Sequence, residues 1–229
     1  MKALKLEKEN TAPLISLTDF VDFVVKSGRP KLTVVKQIKS RDQYATFEDF
    51  WRRLRTAIVE YHKNGHSDKS EFDDIIDTLN PNDSPKQTAY PIAIKAYKKF
   101  LGRKKLAWID PPRNVWTAGG INVSVNPEIG LEINGQKTLI KLYFKKEKLI
   151  KAKADLILAL MQEGLPDLEK GTHVAILDVR EAKLFEATKP QTSLLPLLYG
   201  EAVNFATIWR ELTSKVSPPD EGERKLGAA

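Results

Sequence analysis

Residues 121–144 read INVSVNPEIGLEINGQKTLIKLYF. From Ile121 to Ile133 an apolar side chain or proline falls at every second position (Ile121, Val123, Val125, Pro127, Ile129, Leu131, Ile133), the period of a strand with one face against a core. The run ends at Asn134-Gly135, a dipeptide suited to the positive φ angles of a two-residue hairpin turn, and Leu139 to Phe144 is the expected return strand. A two-residue loop pairs Ile133 with Gln136, Leu131 with Thr138, Ile129 with Ile140 and Val125 with Phe144. That register collects the apolar residues on one face, and a slip of one residue would turn them all to the other. It also sets Glu132 across from Lys137, Glu128 across from Lys141 and Asn126 across from Tyr143. This polar strip has the form of a solvated sheet face with cross-strand ion pairs.

Outward from the hairpin, residues 86–101 are expected to form a helix with Gly102 at its end and Pro91 either in its first turn or kinking it. Residues 104–109 follow as a strand that stops at Asp110-Pro111-Pro112, and Gly119-Gly120 suggests a bend or bulge. After the hairpin come a helix over 150–163 with Ala154, Ile157, Leu158 and Met161 toward the sheet, and a buried strand over 173–179. Residues 183–187 extend or pair with that strand, and a last helix spans 199–212. On the N-terminal side, Ser16-Leu17-Thr18-Asp19 has the form of a capping box, opening a helix that runs to Gly28-Arg29-Pro30. Phe47, Phe50, Trp51, Leu54, Ile58 and Tyr61 make a helical stripe with Thr46 as N-cap and Asn64-Gly65 as the stop. A shorter helix over 71–79 precedes the turn-rich segment 80–85.

The expected fold class is therefore α+β: an antiparallel β-hairpin core flanked by helices, with an N-terminal helical region. In residues, this means a helical region over 13–80, an α+β core over 86–213 and a disordered tail over 214–229, with the first dozen residues fraying.

With no cysteine among 229 residues, disulfides, thiolate metal sites and cysteine nucleophiles are excluded. No apolar run approaches the roughly 18 residues of a membrane span, so the chain is expected to be cytoplasmic with no membrane partner. His62 and His66 have the i,i+4 spacing of metal ligands, but Asn64-Gly65 lies between them, so they are expected at the surface. The formal charge of +7 favours a polyanionic partner, DNA or RNA, if the excess gathers on one face.

The order helix, strand, hairpin, helix, strand over residues 86–180 resembles the αβββαβ core of the restriction-endonuclease-like nucleases, whose motif is PD…(D/E)xK on adjacent strands. Pro127-Glu128 is similar to the first half of that motif and Lys141 to its terminal lysine. The resemblance implies Glu128 and Lys141 as catalytic residues. It also implies a divalent cation, Mg²⁺ or Mn²⁺, on Glu128 with Glu132 as a nearby carboxylate. Leu139 stands where the family has its second acidic residue, which suits a core that binds without cutting. Asp155 is a further carboxylate within reach along the sequence.

Two basic segments interleaved with aromatics offer a surface for phosphates: Lys98, Lys99, Arg103 and Lys104 around Tyr97 and Phe100, and Lys145 and Lys146 after Tyr143. Two readings of function follow. One is a nucleic-acid-binding or nucleic-acid-processing protein with a restriction-endonuclease-like core, with or without catalytic competence. The other is a non-enzymatic protein-interaction module that uses its N-terminal helices for docking and its lysines for solubility.

Overall fold

The computed structural model of the chain describes residues 12–43 and 49–214. Thr46 and Phe47, the first eleven residues and the tail from 215 onward lie outside the described residues. The fold is α+β, with two mixed sheets and helices on both sides of the larger one.

The larger sheet is built on the expected hairpin. Strands β5 (Ile129–Ile133) and β6 (Gln136–Tyr143) are joined by Asn134 at φ 51° and Gly135 at φ 91°. Ile133 pairs with Gln136, Leu131 with Thr138 and Ile129 with Ile140. The pairing stops there. Pro127 has no N–H to give to a ladder, and the last bond runs from Glu128 N–H to Ile140 O at 3.1 Å. Upstream of it, β4 (Ile121–Val125) belongs to another sheet, where it makes a hairpin with β3 (Asn114–Ala118) and lies parallel to β1 (Leu14–Ser16). Val125 therefore faces Asn114 and not Phe144. Gly119 and Gly120, at φ 56° and 88°, are the two-residue turn of this second hairpin rather than a bulge.

Strand β2 (Leu106–Ile109) adds antiparallel to β5. Helix α6 (Lys151–Gly164) crosses from β6 to β7 (His173–Asp178), which is parallel to β6, and β8 (Lys183–Ala187) closes the sheet antiparallel. The spatial order is β2-β5-β6-β7-β8. Helix α5 (Ser84–Leu101) precedes β2. Along the chain the large sheet thus reads helix, three antiparallel strands, helix, parallel strand, with β3 and β4 inserted after the first strand.

Each face of the large sheet is buried in a core of its own. One core joins Ile129, Leu131, Ile140, Leu142 and Phe144 to α3 (Arg52–Lys63), α4 (Asp73–Asp77) and α5. The other sets Leu139, Tyr143, Val174 and Ile176 against α6. It also takes in α1 (Leu17–Val24), α2 (Arg29–Gln43), α7 (Leu195–Ser214) and the small sheet. The second face is consequently not the solvated strip that the hairpin pattern suggests, because the crossover helix lies over it: Leu139 is 2% and Tyr143 1% exposed. Residues 13–80 contribute to both cores and supply strand β1 to the small sheet.

Local signals explain most of the helices. Ser16 Oγ accepts from Asp19 N–H at 3.1 Å and caps α1. Asp49 serves the start of α3: its Oδ1 accepts from Trp51 N–H at 3.1 Å and its carbonyl from Arg52 N–H at 2.9 Å. Helix α3 ends at Lys63 with Asn64 after it, as the sequence indicates. Residues 71–79 split into a 3-10 turn (Lys69–Phe72) and α4. Helix α2 arises where the sequence suggests only a stop: Pro30 sits in its first turn, where its missing N–H costs nothing, and Val35 and Ile38 bury one face. Among the described residues no helix is long and apolar enough to cross a membrane.

Candidate functional site

Where β5 and β6 part from β4, Glu128 and Lys141 meet. Lys141 Nζ donates to Glu128 Oε1 at 2.6 Å and to the carbonyl of Asn126 at 3.1 Å, and Glu128 Oε2 accepts from Leu142 N–H at 2.8 Å. A third side chain arrives from α3: Arg55 Nε lies 3.8 Å from Glu128 Oε1, and Arg55 also forms an ion pair with Asp49. The Glu128 and Lys141 side chains are only 15% and 14% exposed, far less than a pair on an open sheet face. Two cations and two carboxylates thus form a neutral cluster in which both Glu128 oxygens are engaged. Among the described residues, Arg55 Nε is a buried polar atom without a hydrogen-bond partner.

This donor set does not fit a hard divalent cation. Mg²⁺ takes one or two carboxylates with oxygens to spare for it, whereas Glu128 is spent on Lys141 and the Leu142 amide, and Asp49 on Arg55. Glu132 pairs with Lys137 near the turn. Four residues of extended strand put it roughly 13 Å from Glu128, so the two carboxylates do not share a site. Leu139 is core, and Asp155 on α6 is tied to Lys151 at 2.7 Å. Among the described residues no group of three or more His, Asp or Glu side chains is placed to hold a metal.

Beside this cluster lies an aromatic wall. Trp51 is stacked between Tyr90 (centroids 5.2 Å apart, planes 13°) and Phe144 (5.1 Å, 19°), and the Arg55 guanidinium covers Phe144 at 5.5 Å. Arg55 therefore links the stack to Glu128. Past the wall opens a groove of about 510 Å³ along the first half of α5, with Lys145, Lys146 and Arg180 among its lining residues.

The six basic residues singled out in the sequence divide into two groups. Lys98 pairs with Asp73 at 2.6 Å, and Lys104 donates to the Phe100 carbonyl at the end of α5, its pKa lowered by burial and by the nearby Lys69. Lys145 pairs with Asp22, and burial and the neighbouring Lys153 charge lower its pKa. Lys99, Arg103 and Lys146 are exposed and have no ion-pair partner among the described residues. The interleaved aromatics are not stacking surfaces: Tyr97, Phe100 and Tyr143 are all buried.

Two features were not legible as functional chemistry. Lys153, inside a lysine-rich run, is 5% exposed and bonds Asp22 at 2.7 Å beneath Tyr143. Its one sequence signal is its place on the stripe of Leu149, Leu156 and Leu160. His62, expected at the surface, is 7% exposed and hydrogen-bonded to Tyr97 Oη, while His66 stays outside with Glu71. The apolar residues of α1 and α3 are used inside the chain's own cores. Compared with known proteins, the chain matches no family model and no curated relative.

Proposed function

We propose that the protein binds nucleic acid through a restriction-endonuclease-like core that has no cutting centre. The observation that carries this reading is the meeting of Glu128, which follows Pro127, with Lys141 on adjacent antiparallel strands, in a cluster closed by Arg55. The sheet order supports it: helix, three antiparallel strands, helix and parallel strand run as the αβββαβ core does. Leu139 and the neutralised Glu128 favour binding over catalysis. The cluster then serves as a rigid join between strand β6 and helix α3. A cytoplasmic setting belongs to the same reading and is consistent with a cysteine-free chain.

Of the six basic residues singled out in the sequence, phosphate contacts fall to the three without an ion-pair partner among the described residues: Lys99, Arg103 and Lys146. Affinity for a generic labelled oligonucleotide should fall steeply with salt as counterions are released. Reversing all three charges together should weaken binding about tenfold or more at low salt and flatten the salt dependence, by about one unit of slope for each lost contact. Reversing Lys98 or Lys104 instead should act mainly on stability, because these two already hold Asp73 and the end of α5. Absence of binding at low ionic strength would favour the protein-interaction module.

A further inference from the structure

We infer that the groove beside the aromatic wall takes an unpaired nucleobase of a single strand, with its phosphate against Lys146 and Arg180. This assignment rests on the nucleic-acid reading and narrows it to one form of ligand.

Three properties of the groove point to an occupant that is apolar and planar on one side and anionic on the other. Phe50, Trp51 and Phe144 line the groove, and the Tyr90–Trp51–Phe144–Arg55 stack holds two of these rings in place. Both faces of Trp51 are already covered, so a base would lie in the slot against ring edges and Phe50 rather than intercalate. Ile92, an aliphatic side chain left 47% exposed on α5, lines the groove as well. Apolar surface at the mouth of a cleft of this size, about 510 Å³, is the usual make-up of a small-ligand site.

The charge is one-sided. Three cations and no Asp or Glu line the groove among the described residues. Lys145 is occupied by Asp22, whereas Lys146 and Arg180 have no ion-pair partner among those residues. A single strand offers this combination along its length, an exposed ring next to a phosphate. A duplex hides its rings in the stack and can use only the cations. Contacts between bases and aromatic side chains are tolerant of sequence.

The test uses the full chain and two fluorescein-labelled probes, a single-stranded oligothymidylate and a duplex of equal length, titrated by anisotropy at low salt. The expected result is single-strand binding about tenfold tighter than duplex binding. Ile92→Glu should remove that preference, with duplex affinity changed no more than by Lys95→Ala, an equal charge change on an exposed residue of the same helix. Circular dichroism and urea unfolding check that both variants fold. Equal affinity for the two probes, or an Ile92→Glu effect on the single strand no larger than that of Lys95→Ala, would overturn the groove assignment and leave the nucleic-acid reading standing. Binding to neither probe would remove both, and binding only to vesicles of anionic phospholipid would assign the groove to a lipid headgroup instead.

Discussion

Glu128→Ala is expected to destabilise the protein by about 2 kcal/mol and Lys141→Ala by about 1 kcal/mol, although neither residue belongs to an apolar core. Exposed ion pairs contribute roughly 0–1 kcal/mol, and breaking a fully buried one costs roughly 3–5 kcal/mol. With side chains 15% and 14% exposed, this pair lies between those limits. The asymmetry comes from the third member of the cluster. Removing Glu128 leaves Lys141 and Arg55 without their shared carboxylate and the Leu142 N–H without its acceptor. Removing Lys141 leaves Glu128 with Arg55 and the Leu142 amide. Urea unfolding of both single variants and the double variant checks this, and the double should cost clearly less than the two singles added together. Equal, sub-kilocalorie losses would mean that the pair behaves as an exposed one.

Below neutral pH the largest single loss of stability should come from His62. Burial holds its pKa down at about 4, against an ordinary value of 6.5, while its ring is hydrogen-bonded to the fully buried Tyr97. In the unfolded chain the imidazole takes up its proton near pH 6.5, and in the folded chain only near pH 4. Between those values the unfolded state binds more protons, so stability falls as pH falls. The contribution is complete above pH 6.5 and lost on the way to pH 4, a change of about 3 kcal/mol. His62→Gln, which has no charge to gain and can still bond Tyr97, provides the comparison. The stability difference between wild type and variant should shrink by roughly 2–3 kcal/mol from pH 7 to pH 4. Parallel pH profiles would contradict this account of His62.

The hairpin was legible because its information is local: Asn134-Gly135 sets the turn, and the alternation on either side sets the register. The same alternation concealed the break at residues 126–128. Val125 and Ile129 keep one period of two, yet they lie in different sheets and different cores, and period alone says nothing about which partner a strand takes. Helix α2 was hidden by Pro30, which ends a helix when it follows one and starts a helix when it lies in the first turn.

Half of the candidate site could be read in the same way. Glu128 and Lys141 followed from register, while Arg55 did not, because it comes from a helix more than seventy residues upstream and reads there as one of several polar residues off the apolar stripe. His62 was misjudged, and Lys153 passed over, for a related reason. A polar side chain is buried when distant elements close over it, here α5 with Tyr97 and α1 with Asp22, and local composition does not record that closure.

The central claim, a nuclease-like core that binds but does not cut, is tested most directly by one gel experiment. A labelled oligonucleotide is incubated with the protein in Mg²⁺ and then in Mn²⁺, and each sample is run under native and denaturing conditions. The account predicts a retarded band under native conditions and intact strands under denaturing ones with either metal. Metal-dependent cleavage that disappears in both Glu128→Ala and Lys141→Ala would contradict it and make the cluster a working active site.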